Sequence, residues 1–457
     1  MKYCLLAILF AFSGWCGQTV DLLILGGTVV TMNEARSVID DGGVAIHEGM
    51  IVAVGSKAEI KKKYSSKRVI DGEGKAIIPG LINGHGHLPM TLFRGLADDL
   101  DLNDWLMNYI LPAEARNVNE AFVRAGTRLG LAEMFRGGTT TIADMYFFED
   151  AVAEEAARAG MRGIFGQGVL DFPTPDSATF DEGMEKAERM VKKWKDHFLI
   201  RPGIAPHSPY TLSEEHLKRV SEFSKRTGTP ILIHISETER EIQTIQQQKG
   251  ISPIAYLNQI GFFDTQVIAA HIVFPKVGDL SILKEKGVSV IHNPQSNMKL
   301  SSGIAPIPEI LLANIAVGIG TDGAASNNTL SLWEEMDTAA KLHKVASKDP
   351  KVINAEEAFT MATIGGARAL GMEKEIGSIE VGKKGDIALV DLDGFHQTPC
   401  YNIYSTLIYA TSASDVQTVI VNGDVVMENR TLLTLDERAI KKDARHFRGL
   451  VKESLRK

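Results

Sequence analysis

Two histidines at the end of an apolar run are the first residues in this sequence with metal-binding spacing. His85 and His87 close the stretch AIIPGLINGHGH, whose apolar residues predict a buried strand. Residues two apart on a strand point to the same face, so both imidazoles would project together and could bind one metal ion. An HxH pair alone also fits packed or surface histidines, so the interpretation depends on how the other apolar runs end.

Later apolar runs end in residues of the same chemical kind. The side chains that follow them are His207, His234, His271, His292 and Asp322. Unpaired imidazoles buried together would carry a large desolvation cost, which a shared metal ion relieves. Histidine and carboxylate ligands without thiolates suit zinc or divalent iron. Such a metal lowers the pKa of a bound water molecule toward neutrality and so supplies a nucleophile.

A carboxyl group closely follows one of these histidines. Glu237 stands three residues after His234 in HISE, just beyond the predicted strand. At that position it would lie near the metal and could move protons between the nucleophile and a ring nitrogen of a substrate. The alternative is an ordinary carboxylate in the first turn of a helix, where negative charge is favoured.

The runs that carry these residues alternate with longer amphipathic stretches. The eight apolar runs are AIIPGLINGHGH, GTTTIADMYF, MRGIFGQGVLD, IRPGIAPHS, TPILIHISE, VIAAHIVF, VSVIHNPQSN and NIAVGIGTDG. Stretches between them, such as SEEHLKRVSEFSKRTG, place apolar residues at helical spacing. This alternation predicts an α/β fold, a closed (β/α)8 TIM barrel whose polar strand ends meet at one face. An open doubly wound sheet is the alternative, but no glycine-rich phosphate fingerprint follows the first strand.

Both ends of the chain show a different, β-rich pattern. DLLILGGTVVT near the start and DVQTVIVNGDVVMENR near the end combine apolar residues with turn residues. Because a small isolated sheet buries little surface, we expect the two ends to form one composite β-sandwich domain. The predicted order is a signal peptide (1–17), an N-terminal β-sandwich segment (18–77), the barrel (78–376), a C-terminal β-sandwich segment (377–431) and a C-terminal helix (432–457).

The first residues and the composition bear on location and partners. Lys2, the run YCLLAILFAF and the small residues after it predict a secretory signal peptide cleaved near Gly17 or Gln18. A hydrophobic N-terminal strand is the alternative. Cleavage would make the protein exported or periplasmic, and its absence cytoplasmic; the run is too short for a stable membrane anchor. The net charge of -8 argues against a nucleic-acid partner, and the three cysteines exclude a disulfide framework.

Taken together, the motifs resemble the amidohydrolase superfamily over nearly the whole chain after the signal segment. PGLINGHGH, HISE, AAH and GTDGAASNN match its strand ends. HLPMTLFRGLADDLDLNDWL, LPAEAR and HNPQSNMKLSSGIAP are similar to the branch that contains 5-methylthioadenosine/S-adenosylhomocysteine deaminases. The resemblance implies that the metal ligands are His85, His87, His234 and Asp322. It also implies that Glu237 protonates a ring nitrogen, that His271 contacts the attacking water, and that Asp322 takes a proton from that water.

The same resemblance implies a small nucleoside substrate, which is deaminated to its inosine analogue with release of ammonia. Glu114 in LPAEAR matches a position that binds ribose hydroxyls, and His207 in APHSPY matches a second sugar contact. Relatives that act on S-adenosylhomocysteine often carry Arg where this chain has Gln167, taken here as a substrate contact. Without that cation, we expect 5-methylthioadenosine or adenosine to be preferred over S-adenosylhomocysteine. Members of the branch often form homo-oligomers, and the sequence leaves that state open.

The number of metal ions and the reaction have alternatives. Two-metal members of the superfamily have a bridging lysine at the end of strand four, and IRPGIAPHS contains none, so one Zn2+ is expected, with Fe2+ as the alternative. Hydrolysis of another ring (a triazine, guanine, cytosine or cyclic amide) stays open, although Glu114 and His207 suit a ribose. An exported metal-binding protein without turnover also stays open, although such a protein would not need the proton donor Glu237.

Overall fold

A computed structural model of the protein describes residues 17–455. A ring of eight parallel strands lies at its centre. The strands are Leu81–Gly86, Thr139–Tyr146, Arg162–Val169, Ile200–Pro206, Ile231–Ile235, Val267–His271, Ser289–His292 and Val317–Ile319. Each pairs with the next strand along the chain, and a parallel bridge between Gly86 and Asp322 joins the last unit to the first. The predicted (β/α)8 barrel is therefore confirmed, and the open doubly wound alternative is wrong.

Helices surround this ring, and their ends follow from the sequence. In the helix Glu214–Thr227 the Ser213 side chain accepts the backbone N–H of His216, and Gly228 ends the helix with a positive φ. Leu217 and Phe223 are among its buried residues. The other α-helices are Lys57–Lys63, Leu102–Asp104, Leu111–Asn117, Glu120–Arg136, Glu149–Ala159, Phe180–Trp194, Glu239–Lys249, Pro253–Gln259, Asp279–Lys286, Pro294–Lys299, Ile307–Leu312, Leu332–Ser347, Ala355–Met361, Ile364–Ala369, Ile403–Tyr409 and Glu437–Ser454. Shorter helical turns of other types are Leu88–Phe93, Trp105–Ile110 and Ala413–Asp415.

The two ends of the chain form one composite β domain, as predicted. Its strands are Leu22–Val30, Val38–His47, Met50–Ser56, Val69–Asp71, Lys75–Pro79, Ile387–Asp391, Val416–Val421, Asp424–Glu428 and Thr431–Leu432, and a separate pair joins Gln18–Thr19 to Tyr64–Ser65. The ends meet where Lys75–Pro79 runs antiparallel to Ile387–Asp391. Ile24 and Ile46 from the N-terminal segment share a buried core with Ile387 and Ile420 from the C-terminal segment. The two segments therefore bury apolar surface against each other.

A buried ion pair fixes the composite domain to the barrel. Arg162, at the start of the third barrel strand, donates to both carboxylate oxygens of Asp386 at 2.6 and 3.0 Å. Both side chains are almost completely buried. A paired arginine is acceptable there because the bidentate geometry offsets the cost of removing both charges from water.

The C-terminal helix begins at Glu437, whereas the sequence pattern placed its start at residue 432. It packs on the helix Glu120–Arg136. Asp436 caps its N-terminus by accepting two backbone N–H groups. The predicted signal segment lies outside the described residues, apart from Gly17. Within residues 17–455, no helix combines the length and the apolar character that crossing a membrane requires.

Candidate active site

A cavity of about 420 Å3 opens at the C-terminal ends of the barrel strands, the face where barrels of this type carry their chemistry. Polar side chains from the first, fifth, sixth and eighth units converge in it: His87, His234, Glu237, His271 and Asp322. Apolar side chains from the segment Leu102–Leu111 cover another region of its wall. Among residues 17–455, those that line the cavity include no lysine and no arginine.

The four ligands implied by the family resemblance lie together. One ligand atom from each of His85, His87, His234 and Asp322 can be chosen so that all four atoms are within 4.8 Å of one another. Asp322 Oδ1 is 3.4 Å from His85 Nε2 and 3.1 Å from His87 Nε2, and His87 Nε2 is 3.4 Å from His234 Nε2. Four donors pointing at one centre are the arrangement of a mononuclear site.

Backbone carbonyl groups orient two of these imidazoles. His87 Nδ1 donates to the carbonyl oxygen of Met145, and His234 Nδ1 donates to that of His207, each at 2.6 Å. Because the proton is held on Nδ1, the Nε2 lone pair of each ring points to the centre of the cluster. These second contacts select the tautomer that a metal ion requires.

Asp322 reaches the cluster because the chain turns sharply after the short eighth strand. Its backbone has a φ of +61°, and its N–H donates to the carbonyl oxygen of His85 at 3.0 Å. The backbone comes so close here that a Cβ at Gly320 would lie 2.7 Å from the nitrogen of His85. Burial opposes the ionisation of Asp322, but the neighbouring imidazoles of His85 and His87 outweigh it and hold its pKa well below the ordinary value.

Glu237 and His271 face each other beside this cluster. Glu237 Oε2 is 3.7 Å from His271 Nε2, and both side chains are buried. Burial raises the pKa of Glu237 above its ordinary value, which favours the protonated form that can donate to a substrate. Glu241 holds the backbone in place, because its two carboxylate oxygens accept the N–H groups of Ser236 and Glu237 at 2.7 and 2.9 Å.

The chain is similar to known proteins in both sequence and structure. The model of the amidohydrolase family matches residues 76–426. The chain belongs to the amidohydrolase family. A 5-methylthioadenosine/S-adenosylhomocysteine deaminase of Syntrophobacter fumaroxidans is 45% identical, with 94% of this chain and 98% of that protein covered. A 5'-deoxyadenosine deaminase of Methanosarcina mazei is 41% identical, with 93% and 96% covered.

Two solved structures superpose on this chain over most of its length. An adenosine deaminase from Xanthomonas campestris with bound zinc superposes with a TM-score of 0.94 at 38% identity, and 96% of this chain and 100% of that chain are covered. An atrazine chlorohydrolase from Arthrobacter aurescens in complex with zinc has a TM-score of 0.87 at 26% identity, with 93% and 100% covered. The protein is thus a hydrolase of this family that acts on a small molecule.

The donor set of this amidohydrolase fits one zinc ion. His85 Nε2 is buried without a hydrogen-bond partner, so a metal ion would complete its bonding. Burial lowers the pKa of His85 to about 4, which keeps the ring neutral, as a ligand must be. Three imidazoles and one carboxylate are typical zinc ligands. Among residues 17–455, no second group of three or more His, Cys, Asp or Glu is arranged to bind a metal ion.

A second carboxyl group lies deep in the cavity wall. Glu114 is 5% exposed, and the Tyr146 hydroxyl donates to its Oε1 at 2.5 Å. Burial raises the pKa of Glu114 to about 7, although the Tyr146 hydrogen bond acts in the opposite direction. The carboxylate oxygen Oε2 stays available to accept hydrogen bonds from a ligand. The predicted ribose contact therefore has suitable geometry, and the sequence did not identify its partner Tyr146.

The structure separates the two other histidines at strand ends. His207 lines the cavity beside His234, with ring centroids 4.6 Å apart, and its Nδ1 is buried without a partner. This is consistent with the predicted sugar contact. His292 does not line the cavity, and its Nε2 lies 3.0 Å from that of buried His343 on the helix Leu332–Ser347. His292 therefore contacts a surrounding helix and lies apart from this cavity.

Gln167, the third predicted substrate contact, is not among the residues that line this cavity. Its neighbour Gly168 faces the cavity, and because side chains alternate along a strand, Gln167 points to the helices outside the barrel. There its Nε2 donates to Asp176 Oδ2 at 3.0 Å and to the carbonyl oxygen of Gly168 at 3.1 Å. The flanking glycines in FGQGVLD gave no pattern from which the inward face could be read.

Trp105 is a cavity residue that sequence reasoning did not assign. It is 6% exposed, lines the cavity, and its indole Nε1 has no hydrogen-bond partner, so it can donate to a bound ligand. It begins the π-helical turn Trp105–Ile110. The available signal was its place in the family-like stretch that ends in LNDWL.

Proposed function

We propose that this amidohydrolase hydrolytically deaminates adenosine-type nucleosides, converting the purine 6-amino group to the oxo group and releasing ammonia. The observation that carries the proposal is the Glu114–Tyr146 pair, which opens onto the same cavity as the metal cluster and Glu237. A fixed carboxylate is suited to accept hydrogen bonds from the adjacent hydroxyls of a ribose. Relatives named as deaminases of adenosine compounds support this choice.

The chain's own residues supply the proton transfers of the reaction. A zinc ion held by the four ligands would polarise a water molecule and lower its pKa, producing a nucleophile at neutral pH. Asp322 and His271 are placed to accept a proton as the carbon–oxygen bond forms. Glu237, whose pKa is raised by burial, is placed to donate to the ring nitrogen beside the reacting carbon. The proton accepted from the water passes to the amino group, the proton of the new hydroxyl returns to Glu237, and the carbon–nitrogen bond breaks to give the oxo group and ammonia.

The test is turnover by the zinc-loaded protein with adenosine, 5-methylthioadenosine, 5'-deoxyadenosine, guanine and a triazine. We expect turnover of the adenosine compounds, and a loss of about a hundredfold or more in kcat for Glu237→Gln with zinc retained. Glu239→Gln, at an exposed position on the next helix, is the matched control and should keep full activity. Turnover of the triazine or guanine alone would refute the proposal in favour of another ring hydrolysis. Zinc binding without any turnover would indicate a metal-binding protein.

Within this class we propose a preference for 5-methylthioadenosine, 5'-deoxyadenosine or adenosine over S-adenosylhomocysteine. With its base at the metal cluster, a bound nucleoside would direct its 5' group toward the cavity mouth, where Met107, Phe172 and Tyr210 are partly exposed. None of these residues is a cation that could pair with the homocysteine carboxylate. The proposed preference thus depends on the residues of the mouth and not on Gln167.

A substrate with a large but uncharged 5' group tests whether the proposed preference depends on the charge or on the size of that group. 5'-Butylthioadenosine, which has no charged group, should be turned over with a kcat/KM close to that of 5-methylthioadenosine, whereas S-adenosylhomocysteine should be slower by about tenfold or more. Phe172→Arg should narrow that gap by supplying a cation at the mouth. Equal kcat/KM values for all three substrates would refute the preference.

We further propose that the segment 1–17 directs export and is removed, which is supported by Lys2 and the apolar run that follows. The mass of the mature protein recovered from a bacterial periplasm tests this, and an intact N-terminus in the cytoplasm would refute it. The cleaved chain is expected to have no membrane anchor, and a homo-oligomer stays a prediction that light scattering can check.

A further inference from the structure

The short helix Pro294–Lys299 after the seventh barrel strand carries two consecutive side chains that reach different groups of the active site. Ser296 Oγ donates to Asp322 Oδ2 at 2.6 Å. Asn297 Oδ1 lies 2.9 Å from His271 Nδ1. All four side chains are buried, so these hydrogen bonds do not compete with bulk water.

The amide of Asn297 selects one tautomer of His271. A carbonyl oxygen can only accept, so His271 Nδ1 carries the proton of this hydrogen bond. In the neutral ring, Nε2 then carries a lone pair and faces Glu237 at 3.7 Å in the cavity. His271 is thereby prepared to accept a proton, while Glu237 is prepared to give one.

Ser296 holds one carboxylate oxygen of Asp322 while the other oxygen faces the metal cluster. Oδ1 faces His85 and His87 at 3.4 and 3.1 Å, as expected of the ligand atom. Oδ2 is held on the other side by the hydroxyl of Ser296, and that of Ser326 at 3.1 Å. Such hydrogen bonds to a ligating carboxylate fix its direction, and losing one typically lowers metal affinity or activity by about 10- to 100-fold.

We propose that Ser296 and Asn297 are positioning residues that act together from one helical turn. Asn297 fixes the tautomer and ring orientation of His271, and Ser296 fixes the carboxylate of Asp322. The catalytic consequence rests on the proposed deaminase function, but the tautomer and the zinc affinity do not. One short helix, Pro294–Lys299, would thus orient both His271 and Asp322, the two groups that would accept a proton from the attacking water.

The first test is nitrogen NMR of zinc-loaded full-length protein labelled with 15N-histidine, in which His271→Gln identifies the His271 signals. The wild type should show a protonated Nδ1 and an unprotonated Nε2. Asn297→Ala should lose this pattern, while Asn297→Asp, which keeps an acceptor oxygen, should retain it. A wild-type ring protonated on Nε2, which would arise if the amide were reversed, would overturn the assignment.

The second test is kinetic and uses the adenosine substrate that is turned over best. Asn297→Ala should lower kcat by about ten- to a hundredfold, with KM within about twofold and zinc retained. Met298→Ala is the matched control, since Met298 lies on the same helix but is 50% exposed, and it should keep full activity. An unchanged kcat in Asn297→Ala would overturn the role, as would an equal loss in the control.

Zinc affinity tests Ser296 separately. Ser296→Ala should weaken zinc binding by about tenfold in competition with a chelator, because Asp322 loses a fixed direction. Ser296→Thr, which restores a hydroxyl, should recover most of that loss. Equal zinc affinity in wild type and Ser296→Ala would refute the role of Ser296. If no adenosine compound were turned over, the ring-nitrogen signals and zinc affinity would still decide both assignments.

Discussion

The hydrogen bond between Tyr146 and Glu114 gives the sharpest quantitative prediction for substrate binding. In the proposed function Glu114 accepts hydrogen bonds from ribose hydroxyls as the carboxylate. Its pKa is raised to about 7 mainly by burial, against the opposing effect of Tyr146. Burial and the neighbouring Glu114 also raise the pKa of Tyr146, so its hydroxyl remains a donor. Removing that donor in Tyr146→Phe takes away an interaction that favours the ionised form of Glu114.

The size of the effect follows from the energy of that bond. A hydrogen bond to a charged group contributes about 1.5–3 kcal/mol, so its loss should raise the pKa of Glu114 by about one to two units. At pH 7 the ionised fraction would fall from about half to between about a tenth and a hundredth. Because a carboxyl with a raised pKa is ionised only above it, kcat/KM should fall about five- to fiftyfold at pH 7 and recover at higher pH.

The assay is the pH profile of kcat/KM, followed by ultraviolet absorbance, for wild type and Tyr146→Phe. The acid limb of the wild-type profile should lie near pH 7 and move upward in the variant. Tyr109→Phe, at an exposed position in the nearby turn, should leave the profile unchanged. With 2',3'-dideoxyadenosine, which lacks the hydroxyls, Tyr146→Phe should have little effect. An unmoved acid limb, or an equal loss with this analogue, would refute the reasoning.

Three further predictions concern the metal, the fixing of the proton donor and the domain junction. Removing zinc with a chelator should lower the free energy of unfolding by about 2.7 kcal/mol relative to protein in zinc at a hundred times its Kd, as measured by thermal unfolding. Glu241→Gln should lower kcat more than it changes KM, because an amide nitrogen replaces one of the two oxygens that accept the N–H groups of Ser236 and Glu237. Equal effects on kcat and KM would argue against this positioning role of Glu241. Arg162→Leu should lower the free energy of unfolding by about 3–5 kcal/mol, because it leaves the Asp386 carboxylate buried and unpaired. The double variant Arg162→Leu/Asp386→Leu should lower it by less. Arg189→Leu, at an exposed position, should change the denaturant midpoint little.

The sequence was sufficient to predict the barrel because its signal is repeated eight times. The polar residues were also predictable where they stand at or next to the end of a strand, as do His271 and His234. Parallel strands of a barrel present their C-terminal ends on one face, so residues far apart in sequence were expected to meet. The 4.8 Å spread of the four ligand atoms agrees with that expectation.

The residues whose place relative to the cavity the sequence did not predict lie where no pattern marks the inward face. Gln167 stands between two glycines, so the alternation of the third strand could not be read from its side chains. Trp105 begins a π-helical turn, which has no regular apolar period. Tyr146 belongs to a predicted strand, but its contact with Glu114 joins two segments whose distance only the packed structure determines.

Protonation states are the feature of the site that residue types do not determine. Glu114, Glu237, Glu241 and Asp322 are all buried carboxyl groups around a cavity that no lysine or arginine lines. Burial raises the pKa of Glu114, Glu237 and Glu241, whereas the imidazoles of the metal cluster outweigh burial at Asp322 and lower its pKa. Carboxyl groups whose environments move their pKa values apart can act as acid and as anionic ligand in one site. It is therefore the distance of each carboxyl from the imidazoles and backbone donors, set by the packed barrel, that separates Glu237, the proposed proton donor, from Asp322 in the metal cluster.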